Sequence, residues 1–425
     1  MQTAEPRFIH SSGYRVCRRS CSLDFLSSST FGKGDSRKMS STRFLFSNGV
    51  VTQTPDVPPV SSFLEAYSGA YTTTRTHNNI SYVLLWERHL KRLAGSVGIL
   101  FNTNPEALFG PSWFSSYSSL PASIKPSHYE PIIQSSVNKS MSRVVPLMTK
   151  TMNVEYEWAI TVLVCGNSSK LAGTLNLDEE KFSRALDVHI HIGSYIPMVF
   201  GAGGAHLALV GRGRTIASAK HSDWVRHRKS LEKLRPHSMT ELLLSNDGEH
   251  ILEGSVSNFF VVCRRDENSR NADADEGAYS SFEVQTAPLG DGVLPGVIRQ
   301  LVIEVCSDKG IPIREAAPSW SKCELWKEAF ITSKIHGLQP PSHAMDQILF
   351  SNYFSILVMS ADGLRILQHV DSVRAPSIWN TSESRSLNGI EWEEKHFKGG
   401  PGIITTIIEK EVMVKASSEG YLMIS

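Results

Sequence analysis

Apolar positions recur along this chain at two periods, and the alternation between them predicts the order of elements. Leu90, Leu93, Val97 and Leu100 share one face of a helix predicted over Glu87–Leu100. Trp224, Val225, Leu231 and Leu234 do the same in a helix that Ser222 or Asp223 would cap and Pro236 would stop. Further helices are predicted between Pro295 and Gly310, as a short turn over Trp320–Trp326, and over the glycine-led stretch Ile403–Ala416. β-rich runs predict strands at Thr42–Val51, Gly69–Thr76, Ser81–Trp86, Val154–Val164, Leu186–Ile196, His206–Val210, Glu241–Ser245, Ile251–Val262 and Glu283–Ala287. Residues 101–150, rich in Pro and Ser, give little periodic signal.

The most informative stretch runs from Ala217 to Phe260. Lys220 stands on a loop just ahead of the helix. Asn246-Asp247-Gly248 marks a tight turn between two strands, and Glu253 lies near the start of the second. Such a hairpin can return a carboxylate towards the lysine loop. A lysine amine facing a carboxylate across a cavity suits pyridoxal phosphate chemistry, in which the amine condenses with the cofactor aldehyde and the acid keeps the ring nitrogen protonated. Spacing alone also fits a solvated loop lysine and a surface strand glutamate.

The motifs carry a resemblance. Lys220, followed just over thirty positions later by Glu253-Gly254-Ser255-Val256-Ser257-Asn258, resembles the core of the class IV aminotransferases. These are the fold-type IV pyridoxal phosphate enzymes, which include branched-chain and D-amino acid aminotransferases and aminodeoxychorismate lyase. Glu87-Arg88-His89-Leu90-Lys91-Arg92-Leu93 is similar to the family's helix motif, and Gly69-Ala70-Tyr71 to its tyrosine segment.

The resemblance implies that Lys220 binds pyridoxal 5'-phosphate and moves the substrate α-proton, while Glu253 holds the pyridinium. It places Arg92, Thr332, Ser333 and the Val297 and Ile298 amides beyond Gly296 at the phosphate, with Tyr71 and Asn258 near the cofactor. Lys229, in Lys-Ser-Leu, competes with Lys220 but would lie inside the helix. Arg75 can also face the pocket. Ile298 stands where relatives often carry threonine.

The implied architecture is of α+β/α/β class, with a small α+β N-terminal domain at 41–200 and a larger pseudo-barrel, cofactor-binding domain at 205–425. Gly201-Ala202-Gly203-Gly204 reads as the linker between them. The implied activity is transfer of an amino group between an amino acid and a 2-oxo acid, in a homodimer. Aminodeoxychorismate lyase-like chemistry on the same core and a catalytically inactive homologue are the alternatives. Lys334–Ser360 has no counterpart in the resemblance and is expected to be an atypical insertion or a gene-model artefact.

Composition narrows the picture further. The 425 residues carry a formal net charge of +1 and 41% hydrophobic content, which points to neither nucleic acid nor a membrane surface as partner. The six cysteines show no metal-type pairing, and reduced thiols are the economical reading. His189 and His191 alternate in a strand and so share a face. Without a third suitably spaced ligand they predict packed histidines rather than zinc, although a metal hydrolase is a third reading. Residues 1–40 are rich in Ser and Arg and poor in acids. This predicts either a plastid or mitochondrial transit peptide or, with Met39 as the true start, a cytoplasmic protein.

Overall fold

The computed structural model describes residues 43–53, 57–78, 80–110, 126–150, 157–171, 179–195, 203–236, 238–265, 279–332, 366–379, 387, 389–397 and 399–422. The 1–40 leader and the 334–360 insertion expected from the sequence lie outside them. All the elements below belong to one compact unit, Ser41–Ser425.

Two sheets organise that unit. The first contains β1 (Arg43–Ser47), β2 (Val50–Gln53), β3 (Ala70–His77), β4 (Tyr82–Val83), β5 (Glu157–Gly166) and β6 (Leu186–Tyr195). A strand from the far end of the chain, β16 (Tyr421–Leu422), completes it, and the order is β16-β4-β3-β5-β6-β1-β2. Every pairing in it is antiparallel. The strand predicted over Thr42–Val51 is a hairpin instead. Asn48 and Gly49 both adopt positive φ there, the conformation a two-residue turn demands.

The described residues of the same half of the chain also form the helices α1 (Val60–Ala66), α2 (Trp86–Thr103), α3 (Glu106–Phe109) and α4 (Pro126–Lys150), with the short α5 (Glu179–Arg184) before β6. Leu90, Leu93 and Val97 of α2 pack with Ile133, Val137, Met141, Val144 and Met148 of α4 in one core over the sheet. These α4 residues recur at helical spacing, so a period was present in 101–150. Pro131 and Pro146, both inside the helix, masked it.

The second sheet joins β7 (Ala205–Gly211), β8 (Glu241–Ser245), β9 (Ile251–Gly254), β10 (Phe259–Arg264), β11 (Phe282–Thr286), β12 (Ile313–Glu315), β13 (Trp326–Thr332), β14 (Leu367–Pro376) and β15 (Trp392–His396). Its order is β12-β11-β10-β13-β14-β7-β8-β9, with β15 on β14, and it curls into a half-barrel. Side chains of β10 alternate as strand geometry requires. Phe260 and Val262 pack beneath α7 (Val297–Asp308) and α8 (Ile403–Ser418), while Phe259 and Val261 join the core on the other face. The run predicted as one strand over Ile251–Val262 breaks at Ser255–Asn258, and that break forms one wall of the site. Among the described residues, no helix is long and apolar enough to cross a membrane.

Candidate active site

Lys220 lies on the loop between β7 and α6 (Asp223–Leu234), and main-chain bonds strap that loop to the first sheet. Tyr71 N donates to Lys220 O at 2.9 Å and Ser222 N to Gly69 O at 2.9 Å. Lys220 N donates to Ser96 Oγ on α2 at 3.1 Å. Ser222 is not the side-chain cap predicted for α6: its Oγ donates to Tyr67 O at 2.6 Å and accepts from Gly69 N at 3.1 Å. The hydroxyl holds the loop rather than the helix. Only 1% of Lys220 is exposed, and its Nζ sits 4.7 Å from the Tyr71 ring centre.

Glu253, on β9, is equally buried. Arg214 Nε lies 2.8 Å from its Oε1, and its Oε2 accepts from Leu294 N at 3.1 Å and Asn258 Nδ2 at 3.3 Å. Burial pushes the Glu253 carboxyl above its ordinary range, against the pull of the Arg214 guanidinium and the Leu294 N–H. Beyond Glu253 the Ser255–Ser257 segment is gripped from both sides. Glu241 accepts from Val256 N at 2.7 Å, Ser257 N at 3.1 Å and Ser257 Oγ at 2.9 Å. Trp224 Nε1 donates to Ser255 O at 2.8 Å. The Glu241 carboxyl is itself raised by burial.

The far end of the cleft is built for an anion. Val297 and Ile298 open α7, whose leading N–H groups have no partner within the helix, and no side chain of the capping residue Gly296 takes one up. Arg92 faces the same space from α2, and Thr332 from the end of β13. Burial lowers the Arg92 guanidinium to about 10, with the nearby Tyr71 raising it and Arg214 lowering it further. Arg92 donates to Thr72 Oγ1 at 2.8 Å. Thr332 Oγ1 accepts from Asn258 N at 3.1 Å, which ties this end to the Glu253 end. A cleft runs between them, with about 680 Å³ of empty space that includes open solvent at its mouth.

The family model for class IV amino-transferases matches residues 69–343, more than half of the chain. This chain belongs to the class IV aminotransferase family. No curated protein shows significant sequence similarity to it. Among solved structures, it is similar to the branched-chain aminotransferase of the thermophilic archaeon Thermoproteus uzoniensis. Identity is 18% and the TM-score 0.52, over 90% of this chain and 100% of that one. A hypothetical aminotransferase from Mycobacterium tuberculosis, in its apo form, matches with 13% identity and a TM-score of 0.50, over 89% and 99% of the two chains. At these identities the likeness shows a shared fold, the fold-type IV architecture expected from the sequence.

Within this class IV chain, the cleft gathers most of the residues picked out by sequence. Lys220, Arg92, Asn258, Gly296, Val297, Ile298 and Thr332 line it, as does Arg75. Tyr71 lies beneath the lysine amine, and Glu253 contacts two of the lining residues. Lys229 is elsewhere: it is exposed on α6, with its Nζ on Glu65 at 2.9 and 3.0 Å. Ser333 lies outside the described residues.

Sequence reasoning missed Arg214, Glu241 and Trp224. Glu241 opens a predicted strand and Arg214 sits in a loop, and nothing local marks either as buried. His189 and His191 do share a face, where they pack with Phe63. His189 Nδ1 bonds Ser47 Oγ, and His191 Nε2 bonds Pro58 O, both at 2.9 Å. Among the described residues, no three His, Cys, Asp or Glu side chains gather as a metal site would require.

Proposed function

We propose that the chain is a pyridoxal phosphate-dependent aminotransferase that exchanges an amino group between an amino acid and a 2-oxo acid. One observation carries this reading: a buried lysine lines a cleft backed by a buried glutamate that is bonded to two of its wall residues, Asn258 and Leu294, and the other end of that cleft is an arginine facing a helix N-terminus. The residues fit the cofactor. A carboxylate offers about four lone-pair sites, and the two N–H donors on Glu253 Oε2, with Arg214 as its ion-pair partner, leave room for the N–H of a protonated ring nitrogen. Arg92, the Val297 and Ile298 amides and the Thr332 hydroxyl supply donors for a phosphate dianion.

The bound cofactor would supply an aldehyde reactive towards amines and a ring that spreads the charge left on the substrate α-carbon. Lys220 Nζ would take the α-proton and return it, acting as general base and then general acid. Glu253 would keep the ring nitrogen protonated, with the Arg214 guanidinium pulling against the burial that raises its carboxyl. The inactive-homologue alternative rests on the 334–360 segment, which, like Ser333, lies outside the described residues.

Borohydride reduction with pyridoxal phosphate present, followed by peptide mapping, tests the assignment. The expected product carries the label on Lys220. Label on Lys229 overturns the site, and label on neither lysine overturns the enzyme reading. Amino-group transfer from an amino acid to 2-oxoglutarate or pyruvate is the matching activity assay.

A further inference from the structure

Arg88 stands one helical turn ahead of Arg92 on α2, yet it faces away from the cleft and into a four-bond clamp. Its NH1 and NH2 donate to Glu304 Oε1 and Oε2 on α7, both at 2.8 Å. Its Nε and NH2 donate to Glu419 just past α8, at 2.5 and 2.7 Å. A planar guanidinium meeting two carboxylates edge-on fixes direction as well as distance, which an ammonium cannot do.

The three elements joined here are those that frame the phosphate end. α2 carries Arg92 and packs on the first sheet. α7 packs on the second and presents Val297 and Ile298, with Glu304 two turns further along, about 10 Å by helical rise. Past Glu419, Tyr421 and Leu422 pair with Val83 and Tyr82 of β4, the strand that leads into α2. The clamp thus closes a ring through β4, α2, the end of α8 and β16. Lys415 reinforces it through Glu304 Oε2 at 3.3 Å. An anion held by Arg92 on one side and α7 amides on the other is sensitive to the spacing of those helices.

We propose that Arg88 is a positioning residue for the phosphate subsite: its clamp on Glu304 and Glu419 sets the separation between Arg92 and the N-terminus of α7. The proposal rests on the cofactor reading above and adds to it a residue that touches neither cofactor nor substrate. It separates ligands that differ only in the phosphate. Pyridoxal uses the lysine and glutamate end alone, whereas pyridoxal 5'-phosphate uses both ends.

The test titrates the full chain with each ligand, following the absorbance of the bound chromophore, for the unmodified protein, Arg88→Gln, Arg88→Lys and Glu419→Gln. Arg88→Gln is expected to raise the Kd for pyridoxal 5'-phosphate about tenfold while that for pyridoxal changes less than about twofold. Arg88→Lys, which keeps charge without the fork, falls between. Glu419→Gln leaves the Glu304 arm intact and shows a smaller loss of the same selectivity, so the outcome stays readable even if Arg88→Gln folds poorly. Equal losses for both ligands, or no loss for either, overturn the positioning role and leave the cofactor reading standing. An unmodified protein that takes up neither ligand overturns the cofactor reading and, with it, this one.

Discussion

Glu241 shows how a single buried side chain shapes the site without entering it. Its carboxylate gathers the Val256 and Ser257 amides and the Ser257 hydroxyl. A side chain at Gly254 would run into the Glu241 carboxylate and the Ser257 hydroxyl, so it would have to displace the same contacts. Glu241→Ala would leave one buried and one half-buried N–H group without this acceptor and is expected to destabilise the fold by about 3 kcal/mol. Glu241→Gln, whose amide oxygen still accepts, should lose about 1 kcal/mol. Denaturant unfolding of both variants measures this, and equal losses would mean that the segment is held by other contacts. At this scale, the cleft lysine and the buried glutamate were legible and the residues packed around them were not. Lys220 and Glu253 stand in a recognisable spacing, whereas Arg214 and Glu241 matter only through what folds against them.

Among elements, the turn into α7 is the most constrained. Gly296 precedes the helix, and a Cβ added there would run into Asn258 Oδ1. Asn258 in turn bridges Glu253 Oε2 and Leu294 O. Gly296→Ala is therefore expected to push Asn258 aside and weaken pyridoxal phosphate uptake about tenfold, read by cofactor titration. An unchanged affinity would show that the turn has slack. Periodicity located this helix and the strands around it closely. It failed where one element becomes two, as at Asn48-Gly49 and at Ser255–Asn258, because a run of apolar residues does not reveal where the main chain changes partner. The α4 helix was lost for the opposite reason, since prolines inside it hid a sound apolar stripe.

At the scale of the whole molecule, buried histidines couple stability to pH. His221 sits beside Lys220 with Arg214, Arg226 and His227 around it and Asp223 at 4.0 Å. Burial first, then those cations, lower it from 6.5 to about 4, so the unfolded chain binds more protons between those values. Its contribution is present above about pH 6.5 and is lost as pH falls through about 4, by about 3 kcal/mol. Burial lowers His189 and His191 in the same sense, while Glu241 and Glu253, raised by burial, act oppositely. Comparing the native chain with His221→Asn isolates the histidine. The native protein should lose stability relative to the variant on acidification from pH 6.5 to 4, and parallel denaturation profiles would contradict this. The sequence by itself pointed to the family, to two candidate lysines and one glutamate, and to most of the helices and strands that carry them, because local periodicity and short motifs are written residue by residue. Only the tertiary structure decided that Lys220 rather than Lys229 faces the cleft, that β16 returns to the first sheet, and that Arg88 joins three distant elements. Those outcomes depend on burial and on partners far apart in the chain, which no local pattern encodes.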